Sequence, residues 1–342
     1  MCACGIDIGT CFLVSAKQDD NRQIQLKSIR DCFLELNNEE QIKGMLRISK
    51  MDYIEEGDKI YIIGEPALVL ANIFNREARR PMARGVLSPG EFQAEKVLSV
   101  LIEAVLGKSQ SAGNDVCFYS IPAASIDADM DVIYHSAMIS KIISQLGYKP
   151  VVSLNEAAAI AYSNAAAENF SALTLSFGSG MVNACLMYQT MLGMTFSISR
   201  GGDYLDNSAA RSVGSTDSRL QSIKERGLDL MDPSKGDSKT IREREALIIY
   251  YKSLILYALN SIKNEFIKKG KTINLPAPVP IILSGGTALA GNFLEFFKQG
   301  LATIKDWPVP YSEIRMANDP LNAPAQGLLV AALNYSEVQH NK

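Results

Sequence analysis

The sequence predicts an α/β chain in two halves of similar plan, each a mixed β-sheet flanked by helices. Three observations predict it. The chain has 342 residues, more than one core comfortably fills, so two lobes are expected. Strand and helix patterns alternate, as in units with parallel strand pairing. And one motif occurs twice: GIDIGTCFLVSA at 5–16 and LSFGSGMVNACL at 175–186 each read as an apolar run, a tight turn of Gly and small residues, and a second apolar run. That is the outline of a β-hairpin with a permissive turn.

The elements follow in order. After the first hairpin, IQLKSIR reads as a strand, and KIYIIGEPAL as a strand that gives way at Gly64 to a helix with Pro66 in its first turn. Residues 91–107 have helical spacing and end at Gly107, a suitable C-cap. DVCFYSIPA at 115–123 is a buried strand stopped by Pro122, with a helix over about 128–146 behind it. KPVVSLNEAAAIAYSNAA is strand, turn and Ala-rich helix. In the second half the hairpin continues into a third strand near 191–199 and turns at Gly201 and Gly202. A polar, helical region spans about 204–268. Then come the strand VPIILSGG, a helix from about 289 and a last helix near Pro324. The polar stretch at 231–245 is the best candidate for a mobile loop, its charges forming a solvated face. Lobes are expected at 1–150, with a small subdomain at about 30–90, and at 151–332, with one at about 204–268; residues 333–342 read as a tail.

Bulk properties remove several function classes. The 47% apolar content is enough for two cores, and the net charge of −3, with basic residues dispersed, offers no field for nucleic acid. The longest apolar runs fall short of a membrane span, and core sequence begins at Gly5 without a signal peptide, so a cytoplasmic protein is expected. Six cysteines at scattered spacings read as buried reduced thiols. Cys2 and Cys4 alone are too few for structural zinc. With His135 and His340 the only histidines, a Ser-His-Asp triad or a His-based metal centre has little to be built from.

The paired hairpins suggest phosphate chemistry. A turn of Gly and small residues lets backbone N–H groups converge on an anion, since no Cβ blocks the approach. Two such turns across a cleft can hold a polyphosphate from both sides. A third glycine element, LSGGTALAGNF at 283–293, ends a buried strand in two glycines before a helix, a place where adenosine and an α-phosphate can rest.

Taken in order, GIDIGT, SLNEAAAIAYSN, the second hairpin, GGDYLD, IILSGGTALAGNF and NDPLNAPAQG resemble the nucleotide-site motifs of the actin, sugar-kinase and heat-shock ATPase superfamily. The resemblance covers about residues 4–332. It is strongest to the bacterial actins MreB and MamK, through YIIGEPAL, RRPMARGV, GGDYLDNS, IKERGLDL and DPLNAPAQG. It implies a two-lobed actin-like fold with nucleotide in the interlobe cleft, and ATP and Mg²⁺ as ligands. By motif, Asp7 would face magnesium through water, and Gly9, Thr10 and Cys11 would wrap the β and γ phosphates. Glu156 would orient the attacking water; read alone, it would only complement a helix dipole. Gly178, Ser179 and Gly180 would form the second phosphate turn. Gly201, Gly202 and Asp203 would lie beside ribose and phosphates, Lys224 and Glu225 would flank the nucleoside, and Gly285, Gly286 and Thr287 would floor the adenosine pocket.

The match breaks at the second hairpin, which in the family reads like D-x-G-G-G-T-T-D. Here Ser176 stands for the first acid and Met181 and Val182 for hydroxyl residues; Phe12 and Leu13 also replace more polar residues in the first hairpin. Magnesium leans on one or two carboxylates plus phosphate oxygens, so this loss weakens its positioning without forbidding nucleotide binding. Positioning dominates phosphoryl-transfer catalysis, so turnover is expected to drop by roughly two to three orders of magnitude. Three readings follow: a slow ATPase, a binder that does not hydrolyse, or an ATPase whose magnesium is held by other groups. Restoring an acid at position 176 is expected to raise activity.

Two functions from different classes are expected. One is an actin-like subunit that self-associates with bound ATP into cytoskeletal filaments in a bacterial cell, head-to-tail contacts giving open polymers. Its length suits a bare two-lobed core with no further substrate-binding domain. The alternative is a chaperone-like nucleotide-binding regulator that does not polymerise. A small-molecule kinase is disfavoured for want of an acidic base for a sugar hydroxyl and of larger insertions. Cargo and adaptor partners are not legible.

Overall fold

The computed structural model describes residues 2–340, apart from 20, 50, 52, 75 and 270–274. In the first half run β1 (Ala3–Ile8), β2 (Phe12–Gln18), β3 (Ile24–Arg30), β4 (Phe33–Asn37), α1 (Glu40–Ile48), β5 (Tyr53–Glu56), β6 (Lys59–Ile63) and α2 (Glu65–Ile73). They are followed by β7 (Met82–Ala83), β8 (Val86–Leu87), α3 (Ala94–Leu106), β9 (Val116–Ile121), α4 (Val132–Gln145), β10 (Val151–Asn155) and α5 (Glu156–Asn164). The second half holds β11 (Ala172–Phe177), β12 (Val182–Tyr188), β13 (Met191–Ile198), α6 (Gly202–Val213), α7 (Asp217–Glu225) and α8 (Ile241–Lys269). It closes with β14 (Val279–Ser284), α9 (Phe293–Ala302), β15 (Tyr311–Met316) and α10 (Ala323–His340).

The expected duplication is a duplication of topology. One five-stranded sheet has the order β3-β2-β1-β9-β10 and the other β13-β12-β11-β14-β15. In each, three strands form an antiparallel meander, and two parallel strands are added beside its first strand. Both glycine turns therefore sit at the same place, the tip between a sheet's central strand and its hairpin partner. Those central strands are fully buried, which is why ACGIDI and ALTLSF read as near-continuous apolar runs. β10 completes the first sheet rather than opening the second.

Two helices fill the space between the sheets. α10 lies on the first sheet, Leu328 and Leu329 packing with Val14 and Val116. The Ala-rich face of α5 lies on the second, with Ala172, Cys185 and Ile282. The two helices touch so closely that a Cβ on Gly327 would stand 1.7 Å from the Ala159 carbonyl oxygen. Small residues thus do here what large ones do on the outer faces: α3 and α4 cover the first sheet through residues such as Leu101 and Ile139, and α8 and α9 cover the second through Tyr251 and Phe297. A small sheet, β4-β6-β5, packs under α1 and α2 as a separate cluster.

The polar stretch at 231–245, expected as a loop, is turn and loop through Asp237 and helical from Ile241 onward. Its first part is tied down by Arg244, whose buried guanidinium donates to the backbone carbonyls of Lys235 (2.7 Å) and Asp237. The chain past residue 332 continues α10, with 341–342 outside the described residues. No helix among the described residues is long and apolar enough to cross a membrane.

Candidate nucleotide site

The two glycine turns close in the same way. Gly9 N–H donates to the Phe12 carbonyl at 3.1 Å, and Gly178 N–H donates to the Met181 carbonyl at 2.9 Å. Each closure spends one amide and leaves the next two, on Thr10 and Cys11 and on Ser179 and Gly180, without a hydrogen-bond partner among the described residues. Gly286 and Thr287, after β14, likewise keep free amides. All six residues line one cleft between the sheets, with a cavity volume of about 360 Å³. Thr10, Gly180 and Thr287 are buried, where an unpaired N–H is rare, and six free amides edging one cleft suit it to an anion.

The glycines are dictated by contact. A Cβ on Gly180 would lie 2.5 Å from Thr10 Oγ1, and one on Gly9 2.7 Å from the Phe12 carbonyl oxygen. Gly285 has φ of +95°, and a Cβ there would meet the Phe177 carbonyl oxygen at 2.3 Å. Only glycine lets these three segments approach each other so closely.

Two acids lie at the base of the cleft. Asp7 is the penultimate residue of β1 and is buried, with Oδ1 unpartnered among the described residues. Glu156 is the first residue of α5, placed there by the Asn155 cap, whose side chain accepts from Ala158 N–H at 3.1 Å. Ser176 Oγ donates to Glu156 Oε1 at 2.5 Å and Asn183 Nδ2 to Oε2 at 2.8 Å. Asn183 is itself oriented by Ala123 N–H, which donates to its Oδ1 at 3.1 Å. Burial, and next the nearby Asp7 charge, raise the Glu156 carboxyl above its usual range; the two hydrogen bonds offset only part of this. Burial raises Asp7 as well, partly countered by the Ser120 hydroxyl.

Among the described residues no group of three or more His, Cys, Asp and Glu side chains could hold a metal by itself. A single unpartnered carboxylate oxygen beside a phosphate-sized cradle instead suits a hydrated Mg²⁺, which takes most of its ligands from water and phosphate. Asp7 is the residue that fits it; Ser176 is turned to Glu156.

The remaining expected residues divide. Lys224 and Glu225 line the cleft, but each is already engaged. Lys224 Nζ donates to Asp206 Oδ2 at 2.5 Å and to the Gly202 carbonyl at 3.1 Å, and Glu225 accepts from Arg30 at 3.4 Å. Gly201, Gly202 and Asp203 do not line the cleft; they stand behind the second turn. Gly202 and Asp203 N–H donate to the Gly178 and Ser179 carbonyls at 3.0 and 2.9 Å, and Asp203 accepts from Ser179 Oγ at 2.6 Å. Thr287 Oγ1 joins this scaffold, donating to the Gly178 carbonyl at 2.8 Å.

Sequence reasoning missed Arg30, Arg80 and Tyr251. Arg30 lies over Phe12 (4.6 Å to the ring centre) and bridges Glu65 in the first lobe to Glu225 in the second at the edge of the cleft. Arg80 makes a second bridge, to both oxygens of Asp203 at 2.9 Å. Tyr251, wholly buried on α8, donates to the Thr287 carbonyl at 3.0 Å and backs the third glycine element. Phe12, occupying a polar position of the related motifs, accounts for the first of these: an aromatic ring at 12 gives Arg30 a face to rest on.

Among solved structures the chain is similar to a MamK double helical filament, with a TM-score of 0.68 at 15% identity, covering 98% of each chain. It is also similar to MreB5 of Spiroplasma citri bound to ADP (TM-score 0.64, 13% identity, 100% of this chain and 99% of that one). A third likeness is to the ethanolamine utilization protein EutJ from Carboxydothermus hydrogenoformans (0.56, 15%, 96% and 89%). No curated protein matches the chain. These likenesses, together with the paired sheets, show an actin-like two-lobed fold. The family model described as Volactin matches residues 2–332, and the chain belongs to that family.

Proposed function

We propose that the protein is an actin-like subunit that binds ATP with Mg²⁺ in the interlobe cleft and assembles head to tail into cytoskeletal filaments. The observation that carries the nucleotide half is the set of six unpartnered amides, from two equivalent hairpin turns and the Gly286–Thr287 step, around one cavity. In this reading Gly9, Thr10 and Cys11 take one side of the β and γ phosphates and Gly178, Ser179 and Gly180 the other. Gly285, Gly286 and Thr287 floor the nucleoside. Gly201, Gly202 and Asp203 act from behind, stiffening the second turn. Lys224 and Glu225 flank the nucleoside through their existing ion pairs.

Magnesium bound to the phosphates would be held by Asp7 through water, supplying charge neutralisation. Glu156 would orient the attacking water. Its two donors, Ser176 Oγ and Asn183 Nδ2, hold the carboxyl group in place for that role. Positioning rests on one acid at the metal, which supports slow turnover.

Self-association is supported by the likeness over nearly the full chain to a protein described as a double helical filament. Sedimentation of the purified protein with Mg²⁺·ATP, with ADP and without nucleotide tests it: nucleotide-dependent pelleting with filaments visible by electron microscopy is expected. The competing reading, a regulator that does not polymerise, is favoured by one feature. Ser176 stands where related motifs carry an acid and is committed to Glu156. Nucleotide binding without any pelleting would decide for it.

A further inference from the structure

Behind the second glycine turn lies another recess, with a cavity volume of about 600 Å³, whose lining includes Arg80, Arg84, Gly180, Arg200, Asp203 and Tyr204. Three arginines line it against one acid, Asp203. Asp203 is bonded to Arg80 and to Ser179 Oγ. Arg84 and Arg200 have no acidic partner among the described residues: Arg84 is exposed, and Arg200 rests on the faces of Tyr257 (4.0 Å to the ring centre) and Tyr204 (5.2 Å). The recess thus keeps two uncompensated positive charges, one of them held on aromatic faces.

Its position is as telling as its charge. β7 and β8 form a tight hairpin whose turn is Arg84–Gly85, both left-handed (φ 52° and 79°), the geometry of a two-residue primed turn. This hairpin is wedged against both glycine turns. Gly85 N–H donates to Thr10 Oγ1 at 2.9 Å, and a Cβ on Gly85 would strike the Met181 side chain at 2.6 Å. Gly180 lines the cleft on one side and the recess on the other, and a Cβ there would lie 2.9 Å from Arg84 Cα. One glycine separates the place proposed for phosphates from a basic chamber that opens away from it.

We propose that the recess formed by Arg80, Arg84 and Arg200 behind Gly180 is a second anion site that binds a phosphate-class oxyanion. The planar forks of arginine match its oxygens, and two arginines without an acidic partner supply the charge that a phosphate-class anion needs. The oxyanion could come from solution or from nucleotide cleaved in the cleft. The second source, and only that one, rests on the function proposed above.

Titrating the protein with inorganic phosphate, followed by ³¹P line broadening, tests it directly. The variant to compare is Arg84→Asn/Arg200→Gln; asparagine tolerates the left-handed backbone at 84, and Arg80 is left in its bridge. Saturable phosphate binding is expected in the wild type, weakened roughly tenfold or more in the double variant, with an unchanged melting temperature. Repeating the titration with the cleft filled by a non-hydrolysable ATP analogue should leave phosphate binding intact. No phosphate binding by the wild type, equal binding by the variant, or loss of binding when the analogue is present would overturn the proposal. If no analogue binds at all, the nucleotide reading fails while the ligand-free titration still decides the recess. During ATP turnover, free phosphate that lags total phosphate in the wild type, with the lag altered in the variant, identifies the cleft as the source; no lag identifies solution.

Discussion

Ser176 Oγ stands 2.5 Å from Glu156 Oε1 and donates to it, so the residue at the position of the missing acid serves as a clamp on the other acid of the site. Ser176, next to the end of β11, is therefore bound to the first residue of α5, while Asp7 Oδ1 keeps no partner among the described residues.

This bond adds a cost to an expectation. From sequence, Ser176→Asp should restore a metal-binding acid and raise activity. In the fold it would bring a third carboxylate beside Glu156 and Asp7, whose mutual repulsion is already felt. We expect the variant to be destabilised by roughly 1–3 kcal/mol in the absence of Mg²⁺, with partial recovery when Mg²⁺·ATP is added. Thermal melts with and without the ligand check it; a metal-independent gain in stability would contradict the geometry.

Glu156→Ala should slow phosphate release from ATP by roughly a hundredfold or more while nucleotide affinity stays within a few-fold. Release assays paired with a binding titration make the comparison. Equal release by both proteins would remove Glu156 from the catalytic role.

Stability of the ligand-free protein should fall as pH rises. Burial raises Glu156 and Asp7 above the usual carboxylate range and lifts Asp206 to about 6, the Lys224 charge only partly offsetting it. The folded state therefore holds protons that the unfolded chain has released. The stabilisation is fully present below the ordinary carboxylate pKa near 4 and is lost as pH climbs through about 6 and on through the Glu156 titration. Melting temperatures across this window should drop, and Glu156→Gln should flatten the drop; an identical profile would refute the assignment.

Gly285→Ala should cost roughly 2–4 kcal/mol and abolish nucleotide binding, because φ of +95° and the Phe177 carbonyl at 2.3 Å leave no room for a Cβ. Urea denaturation and a nucleotide titration measure the two effects.

Much of the site was legible because its parts are local. A strand, a glycine turn and a strand declare themselves in a dozen residues, and the steric need for glycine at 9, 180 and 285 is what makes those motifs visible. The Ala-rich run at 157–161 was legible as a helix, but not as the face that meets α10 at Gly327. What escaped was assembled from a distance. Ser176, Asn183 and Glu156 form one network from three segments, and nothing in SLNEAAAIAY says what will bond to its acid. Arg30 and Arg80 meet their partners across the lobes, 195 and 123 residues away; the only sequence signal for Arg80 was its place in RRPMARGV. The 231–245 stretch is loop only as far as Asp237; the charges of 241–245 mask the first turn of α8, and Arg244 turns inward to carbonyls that composition does not reveal.

Calorimetric titration of the purified protein with ATP in Mg²⁺ tests the central claim most directly. Saturable binding of one nucleotide per chain, lost in Gly285→Ala, is the predicted result. A folded protein that takes up no nucleoside triphosphate would contradict it.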